Sequence, residues 1–153
     1  MSEAAETAGK EGEKYLVFSI LGRLYTFPTR LIGEVAMFDS VYPLPLVPPY
    51  VLGVINRYSI PYALLDIGLL LLNTPSPRGK VLVLKNNIDR IAFAIDDVSG
   101  IADIPRDKLV DVERSPDSDD VAEAVSALFS WNGNDVLVLD VQSILDSVTN
   151  GEV

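Results

Sequence analysis

Short apolar runs in this chain are cut by turn signals every ~8–12 residues, and few folds tolerate that rhythm. Tyr15–Ile20 and Arg23–Pro28 flank Leu21-Gly22, where glycine supplies the positive φ of a tight hairpin. Tyr50–Asn56 and Ile60–Asp66 read as the next strand pair. Lys80–Lys85 and Arg90–Asp96 form another around Asn86-Asn87-Ile88-Asp89, and Asp97–Pro105 extends the sheet until its proline stops it. Between residues 115 and 131 two periodicities compete. Val121, Ala124, Val125 and Leu128 have helical spacing behind Ser118, whereas Val125, Ala127, Phe129 and Trp131 alternate ahead of Asn132-Gly133, a type I′ turn signal. The alternation decides for a strand over Val125–Trp131, with Asp135–Asp140 returning beside it and Val141–Val148 as a terminal helix.

Other segments break the rhythm. Arg30–Val35 has the pattern of a helical turn before an extended piece, Ala36–Tyr42. Pro43, Pro45, Pro48 and Pro49 then force an irregular loop with few backbone donors. Ile67–Asn73 is too apolar for a surface helix, which leaves a short helix or a buried turn, and Asn73–Gly79 is a loop carrying two prolines. The sum is about nine or ten short strands with little helix, the pattern of small barrels or a sandwich and not of βαβ units.

Composition narrows the function classes. Of 153 residues, 48% are apolar and 22% charged, enough to bury one domain's interior. Residues 1–13 are a polar, acidic lead-in expected to be disordered, and 14–150 the folded domain. With 22 acidic against 12 basic residues the net charge is −10. That argues against nucleic acid, whose binding needs clustered cations, and against adsorption to anionic lipid. The N-terminus lacks the apolar core of a signal peptide. No apolar run approaches the ~20 residues of a membrane span, so a cytoplasmic location is the expectation.

Cysteine and histidine are absent. Disulfides, thiolate metal sites, thiol nucleophiles and the commonest general base therefore fall away. Asp117, Asp119 and Asp120 lack the glycine and closing glutamate of a calcium loop and read as a solvated acidic stretch. Asp96 and Asp97 are strand neighbours pointing to opposite faces; with Asp66 they read as strand-end carboxylates, not a catalytic pair. No nucleophile elbow or phosphate-binding glycine loop occurs, and Trp131 beside Asn132-Gly133 reads as a packing residue. Nothing here supports catalysis.

Four elements in order resemble the CheW-like family, the adaptor proteins of bacterial chemosensory arrays. They are YLVFSILGRLYTFPTRLIGEV, PLPLVPPYVLGVIN, IAFAIDDVSGIADIP and VSALFSWNGNDVLVLDVQSIL. Together they span roughly Tyr15 to Val148. The resemblance implies a mostly β fold of two small five-stranded, SH3-like β-barrels that share an apolar core, with short helices. It also implies a non-catalytic scaffold that binds the regulatory domain of a CheA-type histidine kinase and the cytoplasmic tip of a chemoreceptor. Neither role needs a cofactor. The alternative is a divergent relative that binds the kinase or its own kind without receptor coupling, as in a pilus-motility pathway.

One departure stands out. After Gly-Val-Ile-Asn the family has Leu-Arg-Gly, and here Arg57 falls at the Leu position, Tyr58 at the Arg and Ser59 at the Gly. The family's Arg belongs to a receptor-facing groove. The resemblance adds Ile32 and Glu34, from the turn facing that groove, and Gly53 and Asn56, from the strand flanking it. For Gly53 a close strand crossing is the favoured reading. At Tyr58 three readings stand beside a plain turn-capping role: Arg57 reaches the same space through a shifted turn, the receptor has changed to suit an aromatic side chain, or receptor binding is reduced.

Overall fold

The computed structural model describes residues 12–85, 89–112 and 124–149. Two hairpin strands come first, β1 (Gly12–Ile20) and β2 (Arg23–Pro28), joined by Leu21 and Gly22 at φ 51° and 83°. A 3-10 turn, Thr29–Leu31, leads into β3 (Ile32–Met37). After the proline segment come β4 (Val51–Arg57), β5 (Ile60–Asp66) and a short helix, α1 (Ile67–Leu72). The strands β6 (Lys80–Leu84), β7 (Ile91–Ile95) and β8 (Asp97–Pro105) follow. A second 3-10 turn, Arg106–Lys108, precedes β9 (Val110–Asp111). The chain ends with β10 (Val125–Trp131), β11 (Asn134–Leu139) and helix α2 (Val141–Thr149).

The strand over Val125–Trp131 is present as the alternation required. The helical turn expected over Arg30–Val35 shrinks to Thr29–Leu31, and Ile32 onward is strand. Two β-branched residues, Ile32 and Val35, favour extended backbone, and β3 gains a full ladder on β6. The extended piece expected to reach Tyr42 ends at Met37. Beyond it, Phe38 and Val41 pack into the interior under β4 and β5. Asp117, Asp119 and Asp120, read as a solvated acidic stretch, lie outside the described residues, as does the turn at 86–88.

Two sheets result, ordered β8-β1-β2-β11-β10-β9 and β3-β6-β7-β5-β4. Both are antiparallel except for one parallel pair each, β2–β11 and β5–β7. Each curls on itself. In a flat sheet β1 and β10 would lie three spacings apart, ~14 Å. Tyr15 and Phe129 nevertheless meet at 5.3 Å between ring centroids. Trp131 of β10 also lies against Gly100 of β8, where an added Cβ would stand 3.1 Å from the indole. The two expected barrels are present as two curled, SH3-like sheets, with two differences. The first has six strands because of the two-residue β9, and among the described residues neither sheet's end strands pair to close a barrel.

Between the barrels lies the main core. Phe18 stacks on Phe27, and Phe27 on Phe93 of the other sheet, each pair at 5.6 Å. In β1, Leu16, Phe18 and Ile20 face this shared core while Tyr15 and Val17 face the first barrel's interior. Strand β6 divides likewise, with Leu82 and Leu84 on one side and Val81 and Val83 on the other. Helix α2 buries Val141, Ile144 and Leu145, a helical stripe, and leaves Gln142 and Asp146 exposed.

Asp66 ties the second barrel to its loop. It is fully buried and caps α1, accepting from the backbone N–H groups of Gly68 at 2.9 Å and Leu69 at 3.2 Å. Ser76 N–H and Arg78 Nε, the latter at 2.9 Å, donate to the same carboxylate, so the buried charge is fully partnered. Removal of Phe93 tests the shared core. Phe93→Ala should cost about 3–5 kcal/mol in urea unfolding followed by circular dichroism, and both barrels should lose structure in one transition.

Candidate functional site

Strands β3 and β4 are the two ends of the second sheet, four spacings apart and so ~19 Å distant if that sheet were flat. Curling brings them together at a seam, and one ion pair clasps it. Arg57 donates from Nη2 to Glu34 Oε2 at 2.7 Å and from Nε to Oε1 at 3.2 Å. The side chains are 33% and 27% exposed, so the pair is shielded without being sealed. The hydrogen bonds it donates to Glu34 raise the Arg57 guanidinium above its ordinary pKa, against the opposing effect of burial.

Local backbone geometry puts both side chains there. Arg57 stands two residues after Ile55, which points into the second barrel, so strand alternation directs Arg57 to the mouth of the same interior. On β3 the pairing register shifts between Ile32 and Glu34. This bulge at Gly33 turns Ile32, opposite Leu84, toward the shared core and Glu34, opposite Val83, toward the barrel interior. Glycine fits because a Cβ would stand only 3.2 and 3.3 Å from the Leu84 and Val83 carbonyl oxygens.

Tyr58 covers the pair. The Arg57 guanidinium lies 5.4 Å from its ring centroid, within cation–π range. The phenol is 82% exposed. Tyr58 and Ser59 have φ of 55° and 67°, the mirror-turn geometry that asparagine and glycine adopt without strain. Tyr58 therefore does more than cap a turn: it stacks on the ion pair beneath it.

Of the seven candidate residues, the structure unites Glu34, Arg57 and Tyr58 at the seam, flanked by exposed Asn56 and Ser59. Ile32 lies on the same strand but packs toward the shared core. Gly53 sits four residues back along β4, about 13 Å from Arg57. Its φ is 143° and the Tyr42 backbone lies where a Cβ would be, so it serves a close crossing. Tyr42 and Val54 exchange two backbone hydrogen bonds of 2.8 Å there, which seats the proline segment on β4.

Sequence reasoning missed two things. The Glu34–Arg57 pairing depends on sheet closure and has no local signature. Leu46, fully exposed at φ 59° behind Pro45, was signalled only by its place among prolines. The remaining carboxylates behave as strand-end groups. Asp96 accepts from the Leu21 backbone N–H at 2.9 Å, and Asp97 pairs with Lys80 at 2.7 Å. The Lys80 hydrogen bond holds Asp97 below the usual carboxylate range.

The comparisons with known proteins meet this geometry. The family model of the CheW-like domain matches residues 14–149. The chain belongs to the CheW-like family. That family consists of non-catalytic chemotaxis scaffolds and adaptors. The CheW-like fold is also that of a solved structure, the scaffolding protein TtCheW from Thermoanaerobacter tengcongensis. It is 16% identical with a TM-score of 0.73, over 84% of this chain and 88% of that one. No curated protein sequence matches this CheW-like chain significantly. Among the described residues no helix is long and apolar enough to cross a membrane.

Two measurements check the site. A double-mutant cycle with Glu34→Gln and Arg57→Leu should give a coupling of about 1 kcal/mol, the upper end of the exposed range because the pair is bidentate. For Asp96, burial pushes the carboxyl above its ordinary 3.8, opposed by the Leu21 N–H and reinforced by Asp66 and Asp97. The folded chain thus holds this proton more tightly than the unfolded one. The stability this contributes is full below about pH 3.8 and is lost as pH rises through the folded value. Asp96→Asn should therefore raise Tm at pH 7, with a gain that shrinks toward pH 4.

Proposed function

We propose that this CheW-like chain is a cytoplasmic, non-catalytic scaffold that couples the tip of a chemoreceptor to the regulatory domain of a CheA-type histidine kinase. The receptor-facing groove in this reading is the β3–β4 seam. One observation carries it. Arg57, one position before the place where the family has its arginine, reaches across the barrel seam to Glu34. The displaced cation thus keeps a place in the groove, which supports the shifted-turn reading of the Leu-Arg-Gly departure.

A second reading draws on the same ion pair. Two Arg57 N–H groups are engaged by Glu34, and the Tyr58 ring lies against the guanidinium. A groove whose cation is already paired within the chain suits a relative that binds the kinase, or its own kind, and no receptor. Binding assays separate the two readings. Calorimetric titration of the full chain against a kinase regulatory domain and, separately, against a chemoreceptor tip from the same genome should give binding to both. Binding to the kinase domain alone would sink the coupling role and leave the second reading standing.

A further inference from the structure

Away from the seam, the first barrel has an open end of its own. A cleft of about 510 Å³ lies there, where β1 begins, β11 ends and β9 crosses, with the start of α2 on its flank. We infer that this cleft binds a primary ammonium on an aliphatic stem, the group carried by free alkylamines and by lysine side chains. The inference is independent of the coupling role proposed above.

Strand geometry assembles the site. Tyr15 faces the barrel interior, where its ring packs on Phe129, and it is 4% exposed. Alternation places Glu13, two residues earlier on β1, on the same side at the barrel's mouth. Asp111 of β9 pairs with Ala127, whose side chain points inward, so its carboxylate reaches the same mouth. Tyr15 lines the cleft, and its hydroxyl makes no hydrogen bond among the described residues. The charges that act on the phenol are those of Glu13, Arg30 and the neighbouring Arg106, so the hydroxyl points outward into the cleft. Burial raises its pKa and keeps it neutral. Phenylalanine would fill the barrel equally well and leave no unpaired group in a buried position.

The free groups are mostly acceptors. Glu13 gives one oxygen to Arg30 Nε at 2.6 Å and keeps the other, while Asp111 has no partner among the described residues. The phenol adds a lone pair, and an ammonium brings three donors and no acceptor. Arg30 keeps other N–H groups. Its side chain, however, is 67% exposed and already neutralised by Glu13, so the anion site it offers is weak and open to water. The chain's net charge of −10 also concentrates cations around the cleft. Between the polar groups the walls are apolar, from Pro28, Leu109 and Val138, which suits a stem of methylenes. A divalent metal is a poorer fit, because the carboxylates do not gather into a three-ligand cluster among the described residues.

The experiment is an NMR titration of the isotope-labelled full chain with pentylammonium, pentanoate and pentanol, beside Asp111→Asn and Tyr15→Phe. Pentylammonium should shift the amide signals of Leu109, Asp111 and Ala127 saturably, with a Kd of about 1–10 mM, within reach of so few heavy atoms. Pentanoate and pentanol should bind at least about tenfold more weakly, since neither supplies the positive donors. Asp111→Asn should weaken pentylammonium about fivefold and Tyr15→Phe about threefold. Tyr15→Phe should leave Tm unchanged or higher, whereas a tyrosine kept for an internal hydrogen bond would lose stability. A blocked pentapeptide with a central lysine identifies the source. Binding tighter than pentylammonium assigns the site to a lysine of a partner chain, and weaker binding assigns it to a free amine. The inference is overturned by the absence of a saturable shift below about 50 mM pentylammonium. Pentanoate binding as tightly as pentylammonium overturns it too, as do affinities unchanged from wild type in both variants.

Discussion

Phe27 meets Phe93 across the two sheets, and the rest of the molecule is arranged around that contact. Each barrel is too small to bury much apolar surface alone. Strands β1, β6 and β7 solve this by being apolar on both faces, one toward their own barrel and one toward the shared core. In β7 the division is by size: Ala92 and Ala94 fit the narrow barrel interior, while Phe93 and Ile95 fill the space between barrels. The capping helices follow from this requirement. Helix α1, fixed by the buried Asp66, closes one part of the shared core, and α2 closes another.

Two-faced burial also explains which elements were legible. The runs YLVFSI, KVLVLK and IAFAI are continuously apolar because both sides are covered, and continuous runs between turn signals read as strands. Toward the sheet ends the signal is alternation, as in β10, next to the end strand β9, where Val125, Ala127 and Phe129 are buried and the residues between them are less so. The family pattern then placed these strands in two barrels. Segment 30–35 was misread because a helical turn and a bulged strand entry differ mainly in pairing. The partner, β6, lies about fifty residues downstream in the chain. Strand order and barrel closure left no local trace at all.

The candidate seam was legible in part for the same reason. Glu34, Arg57 and Tyr58 were marked by the family pattern, but their assembly depends on two backbone details. A bulge at Gly33 chooses the face of Glu34, and a two-residue turn fixes how far Arg57 reaches. A one-residue difference in either would send a charged side chain to the other face of the sheet. The substitution of Tyr for the expected Arg was visible in the sequence. That Arg57, one residue earlier, spans the seam to Glu34 became visible only when the sheet was closed.

Closure by side chains has a further consequence. A barrel whose end strands pair through backbone hydrogen bonds has no edge, whereas one closed by Arg57 and Glu34, or by Trp131 against Gly100, keeps unpaired backbone at its seam. Such a seam must be protected from strand addition by other chains. At the second barrel a charged pair and an exposed aromatic ring stand over it, with the proline segment seated on the outer edge of β4 at Val54. Leu46 of the proline segment and Tyr58 are both large, highly exposed side chains in left-handed backbone. Stability alone would favour asparagine or glycine at each. At Leu46 and Tyr58, before and after β4, local rules are broken where the chain presents a surface instead of filling a core.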